Sequence, residues 1–326
     1  MELRQLRYFV RIVELGSLSR AAADLFIAQP ALSQQVAGLE AELEVRLLSR
    51  SVRGVTPTEA GQVLYRHAQS VLRLIDRLKT DVASTNSAPS GPVSIGMPTS
   101  VANVLATPLI AAAQERFPGI RLRVIEGLSG HLRDLLVNGR VEMSLLFDAD
   151  AATGASSTPP KQASHLHVRP LLVEELFLLA AGKRRFGSAI SLEKAATHRF
   201  VLPASSNATR QIVNRAFDAA GLRLDVIAEL DSLPTIKSVV ASGLASAILS
   251  ASALSGATHH DGVTAHRISG VKLERSVSLC TYDIVALGTA ASSISQLVVE
   301  VTESLVQSKV WVGAQIEMKT SLRARP

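Results

Sequence analysis

The sequence predicts a multidomain chain: an all-α amino-terminal part with a short hairpin wing and a long helix, then a larger two-lobed α/β part. Three observations predict it. Two short helical patterns abut between Ser17 and Glu40 with Pro30 near their junction, and an apolar seam at heptad spacing runs from Leu64 to Val82. Beyond a small, polar, proline-rich stretch, strand and helix patterns alternate as far as Leu305.

Size and composition set the outer limits. A chain of 326 residues has room for two or three domains, and 47% apolar against 19% charged residues excludes a disordered chain. A net charge of +6 favours a polyanionic partner only mildly, since up to Ser87 there are 11 Lys+Arg against 9 Asp+Glu. Basic residues are placed rather than massed. Cys280 is the single cysteine, which rules out an internal disulfide framework and points to a reducing compartment. It lies in the alternating run Val277–Tyr282 and reads as a packed structural thiol rather than a nucleophile. There is no basic-then-apolar leader at the amino terminus and no apolar run long enough to span a bilayer. The expectation is a cytoplasmic chain with no membrane partner.

The amino-terminal elements follow in order. Leu3, Leu6, Phe9, Val10 and Val13 make one face of a first helix, which Gly16 ends. Ser17 is placed to cap a second helix, whose Leu18, Ala21, Ala22 and Leu25 form an apolar face with small residues for a close crossing. Pro30 suits the first turn of a third helix, where a missing N–H costs nothing. Its buried stripe is Leu32, Val36, Leu39 and Leu43, with Gln29, Ser33 and Gln34 opposite, near the amino-terminal end. Two helices so joined, the second with a small polar face, have the form of a helix-turn-helix that seats its second helix in the DNA major groove. Glutamine there matches the paired donor and acceptor of adenine. Taken alone, the stretch also fits an ordinary helical hairpin with a solvated face. Leu47 to Thr58 holds two short β-prone pieces around Arg53-Gly54, a wing from which Arg50 and Arg53 meet phosphates, or Arg53 enters the minor groove. This sets a DNA-binding domain over 1–58.

From Pro57 to about Ala83 the pattern is one long helix, with Leu64, Ala68, Val71, Ile75, Leu78 and Val82 on its seam. Such a seam needs a partner helix. Packing back on its own domain is the alternative to a dimer, and a two-fold protein suits a two-fold site. The dimerisation helix and its hinge, ending in the linker Ser84–Pro92, occupy 59–90.

The α/β part runs over 91–306. Strands Val93–Met97, Ile120–Glu126 and Val141–Phe147 alternate with helices Ser100–Phe117 and Gly130–Asn138, which predicts a parallel sheet with helices on both faces. Thr153 to Lys161 reads as an exposed loop. Further strand patterns cover Leu171–Ala180, Arg199–Pro203, Asp225–Leu230, Ala245–Leu249, Val263–Ile268 and Leu273–Asp283. Helices fall at Thr209–Ala220, Leu233–Ser242 and Ile294–Leu305. The segment of about 168–266 is an inserted second lobe, and the cleft between two such lobes suits a small ligand. Residues 307–326 are expected to form a partly ordered tail.

Catalytic patterns are sparse. His165 and His167 sit two apart on a strand and His259-His260-Asp261 in a loop, without a third ligand at metal-binding spacing. There is no nucleophile elbow, phosphate-binding glycine loop or paired acids. No enzyme, metal or cofactor is expected.

The order of parts and five motifs together resemble the LysR-type transcriptional regulators. The motifs are Leu3-Arg4-Gln5-Leu6-Arg7-Tyr8-Phe9, Gly16-Ser17-Leu18, Ala21-Ala22-Ala23, Gln29-Pro30-Ala31-Leu32-Ser33 and Arg53-Gly54-Val55-Thr56-Pro57-Thr58-Glu59-Ala60-Gly61. Within that family, Ile27 to Ala37, Arg53 to Gly61 and Gly91 to Gly96 look most like the nitrogen assimilation control (Nac) subgroup. The resemblance implies a promoter-binding homotetramer, a dimer of dimers that bends DNA and answers a small inducer, and it admits RNA polymerase as a further partner. Its effector domain resembles periplasmic binding proteins. The DNA-contacting candidates are then Ser17, Gln29, Pro30, Ser33, Gln34, Arg50 and Arg53, although many members carry arginine where this chain has Gln34. Effector candidates are Thr99, Ser100, Ser129, Pro203, Ser205 and Asn207, whose hydroxyls and helix-start amides suit a carboxylate. Local helix capping is the competing role for these residues. Nac-like proteins resemble regulators that act without an inducer, which is the alternative for this cleft. A solute-binding protein is the alternative for the whole chain, opposed by the helix-turn-helix.

Overall fold

The computed structural model describes residues 1–51, 54–83, 88–149, 166–183, 186–254, 262–282 and 287–317, without the side chains of 76, 77, 79–83 and 254. They form two compact units, Met1–Ser87 and Ala88–Pro326.

In the first unit, α1 (Leu3–Leu15), α2 (Leu18–Asp24) and α3 (Gln29–Glu42) enclose a core of Phe9, Ile12, Leu18, Ala21, Leu32, Val36 and Leu39. Gly16 closes α1 in the left-handed region (φ 61°), donating its N–H to the Ile12 carbonyl, and so lets the chain reverse within one residue. Ser17 accepts from the Arg20 N–H and caps α2. The predicted stripe on α3 is one residue too long. Leu43 is exposed, because α3 stops at Glu42 and Glu44 turns the chain at φ 53°. The hairpin β1 (Leu48–Ser51) and β2 (Gly54–Pro57) pairs antiparallel. The Glu40 carboxylate fastens it to α3 by accepting from the N–H groups of Leu47 (2.7 Å) and Leu48 (3.1 Å). Thr58 then caps α4 (Glu59–Ala83), accepting from Gly61 N–H at 3.0 Å.

In the second unit, β3 (Gly91–Met97) pairs in parallel with β4 (Ile120–Glu126) and β5 (Met143–Phe147), with α5 (Thr99–Arg116) and α6 (Ser129–Val137) between them. The sheet is not all-parallel, as the alternation suggested. The long strand β12 (Glu274–Tyr282) pairs antiparallel with both β5 and β6 (Leu166–Ala181), because β6 carries the chain out of the first lobe and β12 brings it back, rather than serving a βαβ unit. β6 belongs to both lobes. Its first part pairs with β12 as far as Glu175, and from Leu176 on it pairs with β10 (Ala247–Ser250) and β11 (Val263–Ser269) in the second lobe. That lobe is completed by β7 (Ile190–Ser191), α7 (Leu192–Ala195), β8 (Arg199–Leu202), α8 (Ala208–Ala219), β9 (Asp225–Glu229) and α9 (Leu233–Ala241). The lobe change thus falls inside β6, at Glu175/Leu176, and at the start of β12, at Leu273/Glu274, later than the stretch of about 168–266 read from sequence.

After α10 (Thr289–Gln307) the expected tail proves to be part of the fold over its first residues. Trp311 is 1% exposed in the first lobe's core, and β13 (Ala314–Ile316) pairs antiparallel with Leu172–Glu174 of β6. An indole buries more apolar surface than any other side chain, so this segment docks rather than trails. Cys280 is buried on β12 between the lobe's apolar side chains. The expected loop Thr153–Lys161, His165, His259-His260-Asp261 and residues 318–326 lie outside the described residues.

Candidate functional sites

In the amino-terminal unit the polar end of α3 faces outward because Leu32, Val36 and Leu39 face in, each at most 1% exposed. Gln29, Pro30 and Gln34 are exposed and Ser33 half-buried. Two side chains from outside α3 hold polar groups of this end in place. Arg50 of β1 donates to Ser33 Oγ at 3.2 Å, and Ser19 Oγ of α2 donates to Gln29 Oε1 at 3.3 Å. Ser17 is occupied by its capping bond, and Arg53 lies outside the described residues. Phe26, in the turn before α3, is 94% exposed with φ 55°, a conformation uncommon for a side chain of its size.

The heptad seam on α4 divides. Leu64 and Ala68 pack within the unit against Leu6 and Val10 of α1. Farther along, Val71, Leu74 and Leu78 are 39%, 41% and 58% exposed, while Ile75 is half-buried.

In the second unit a cleft of about 1100 Å³ opens between the lobes. Thr99, Ser100, Ser129, Pro203 and Asn207 line it; Ser205 does not, and its neighbour Ser206 does. The starts of α5, α6 and α8 therefore meet at one cavity, each bringing the positive end of its helix dipole to the cleft. Two of the predicted residues also do local work. Asn207 Oδ1 accepts from Thr209 N–H at 2.9 Å, capping α8, and Ser129 Oγ accepts from Phe147 N–H at 3.3 Å.

The centre of the cleft is a group that sequence reasoning missed. Arg275, 4% exposed, sits opposite Glu174, 0% exposed, as a cross-strand pair of β12 and β6. Its Nε donates to Glu174 Oε1 at 2.7 Å, Nη1 to Thr209 Oγ1 at 2.6 Å, and Nη2 to Ser100 Oγ (2.9 Å) and Ser250 Oγ (2.7 Å). The guanidinium lies 3.6 Å from the ring centroid of Phe147. Glu174 Oε2 accepts from Ser252 Oγ (2.9 Å) and from Trp311 Nε1 (3.0 Å). The signal was present: both charges stand within stretches that read as buried strands, where a charge requires a partner. Arg133, Arg215 and Lys272 add positive charge to the lining, offset by Asp148, Asp231 and Glu274.

Among the described residues no group of three or more His, Cys, Asp and Glu is placed to hold a metal ion, and His167 lies on β6. No helix among them is long and apolar enough to cross a membrane.

A helix-turn-helix unit with a hairpin wing, followed by a two-lobed α/β unit around a cleft, is the architecture of a DNA-binding transcriptional regulator. The comparisons with known proteins agree. The bacterial regulatory helix-turn-helix profile of the lysR family matches residues 3–62 and the LysR substrate binding domain profile matches 86–302. The chain belongs to the LysR family of DNA-binding transcriptional regulators, which sets aside the solute-binding alternative. Within the family it stands with the Nac subgroup. It is 36% identical over 310 residues to the nitrogen assimilation regulatory protein nac of Escherichia coli (strain K12), covering 95% of this chain and 98% of that one. The protein of the same description from Klebsiella aerogenes is 36% identical over 308 residues, covering 94% and 95%. In fold, the crystal structure of full-length CbnR complexed with its target DNA is similar with a TM-score of 0.63 at 21% identity, covering 93% and 99% of the two chains.

Proposed function

We propose that this regulator reads a two-fold promoter site through the amino-terminal end of α3, using Gln29, Pro30, Ser33 and Gln34, with phosphate contacts from Arg50 and Arg53 of the wing. Pairing through the open part of the α4 seam, Val71, Ile75 and Leu78, with exposed Leu74 beside it, sets the spacing of the two half-sites, and a second pairing makes the tetramer. The observation that carries this reading is the division of α3 into a buried apolar stripe and an exposed polar end, braced by Arg50. A small carboxylate is the ligand class the cleft suits, since three helix starts and two hydroxyls, half-buried Ser100 and buried Thr209, line it. Footprinting of the full-length protein on genomic fragments, with and without small carboxylates, tests both halves. A long two-part footprint that shifts on addition supports the reading; no footprint at low salt sinks it.

A second reading, inducer-independent regulation, is favoured by one observation. The hydroxyls of Ser100 and Thr209 are already bonded to Arg275. A footprint indifferent to every additive is its expected result.

A further inference from the structure

Ser100 opens α5 in the first lobe, and Thr209 opens α8 in the second. Arg275 holds both at once, and through Ser250 it holds the second lobe's β10 as well. We propose that Arg275 is the positioning residue of the cleft: a strap, built into the chain, that fixes the separation of the two lobes' helix starts without a ligand. The inference rests on the cleft being this regulator's effector site.

The hydrogen-bond directions show how the strap is locked. Ser252 has one hydroxyl proton and gives it to Glu174 Oε2, so in its 2.6 Å contact with Ser250 it must accept. Ser250 accepts from Arg275 and passes its own proton to Ser252. The result is a closed circuit, Arg275 to Ser250 to Ser252 to Glu174, completed by the ion pair between Glu174 and Arg275. Every member of that circuit is at least 96% buried, so none of its bonds competes with bulk water. Trp311 adds a third anchor from the carboxy-terminal segment through its bond to Glu174.

Two consequences follow for a ligand. Arg275 is neutralised by Glu174, so the floor of the cleft offers no bare cation. Ser100 and Thr209 both accept from the guanidinium, which leaves each with its own proton to donate. The strap therefore presents one hydroxyl donor from each lobe, matched to an acceptor oxygen such as a carboxylate's, at a spacing set before the ligand arrives.

Trp311 is the sole tryptophan of the chain and reports on the circuit directly. The test is acrylamide quenching of its fluorescence in the full-length protein, with no additive, for wild type, Ser100→Ala, Thr209→Val, Thr209→Ser and Arg275→Lys. Arg275→Lys keeps the charge opposite Glu174 but loses the fork; the hydroxyl variants leave the buried pair intact and guard against a simple folding failure. Quenching at least about twofold stronger in Ser100→Ala, Thr209→Val and Arg275→Lys, with Thr209→Ser restored to wild type, is the expected result. Unchanged quenching in both Ser100→Ala and Thr209→Val overturns the strap. Succinate titration of the wild-type emission is read separately. A silent wild type removes succinate-type carboxylates as ligands of this cleft and leaves the strap to be decided by the quenching alone.

Discussion

The two units arrange their polar groups in opposite ways. On α3 the groups proposed to read DNA are exposed or half-buried and drawn from a single short stretch. In the cleft the central arginine is already buried, already neutralised, and assembled from residues 100, 174, 209, 250, 252, 275 and 311. The difference teaches where function and stability separate. An exposed side chain on α3 can change without disturbing the fold, whereas the cleft cannot lose its charge without disturbing the lobes.

The sharpest way to break that contrast is Arg275→Met. It leaves the Glu174 carboxylate buried and unpaired, and the expected loss is about 3–5 kcal/mol from the effector unit, measured by urea unfolding. Pairing it with Glu174→Leu removes the orphaned charge and should recover most of the loss. A single variant as stable as the wild type would show the pair to be solvated.

On α3 the contrast can be drawn between neighbours on one helix. Leu32→Ala empties a fully buried site and should cost about 2–5 kcal/mol of the amino-terminal unit's stability. Gln34→Ala, two residues on and fully outward, should leave stability within about 0.5 kcal/mol yet change discrimination among bases by about 1–3 kcal/mol. Binding selections on randomised half-sites check the second outcome. A uniform loss across all sequences would remove Gln34 from base reading.

Arg50 sits between these extremes, since it braces Ser33 and faces the solvent. Arg50→Ala should lower the slope of log affinity against log salt by about one phosphate contact. An unchanged slope would confine Arg50 to bracing.

How much of this was legible follows the same division. The division of α3 into a buried stripe and a polar end could be read because the helix carries its whole pattern locally: a proline at the start, an apolar stripe at three- and four-residue spacing, and polar residues between. Leu43 escaped only because periodicity does not announce where a helix stops. Thr99, Ser100, Ser129 and Asn207, which line the cleft at its helix starts, were placed by the family resemblance, to which their polar side chains at strand-to-helix junctions lent support. Arg275 and Glu174 were not, since their sequence separation of about a hundred residues is closed only by the pairing of β6 with β12. Trp311 was lost for a related reason. The α/β rhythm ends with α10, and nothing local says that the chain beyond it returns to the edge of β6.

The smallest predicted effect is a pH term that belongs to the effector unit. His198, at the end of the turn before β8, bonds through Nδ1 to Ser246 Oγ at 2.8 Å. Burial pushes its pKa below the ordinary 6.5, with the nearby charges of His266 and Lys194 acting in the same direction. The folded lobe therefore favours the neutral ring. Its contribution is complete above pH 6.5, and as pH falls through that value the unfolded chain takes up a proton that the folded lobe resists, so stability declines. His198→Gln removes the titration. Urea midpoints of the effector unit's transition at pH 7.5 and 5.5 should then differ less in the variant than in the wild type. An equal pH dependence in both would place the acid sensitivity elsewhere, first at the Glu300 carboxylate, whose pKa the hydrogen bond from Arg116 lowers.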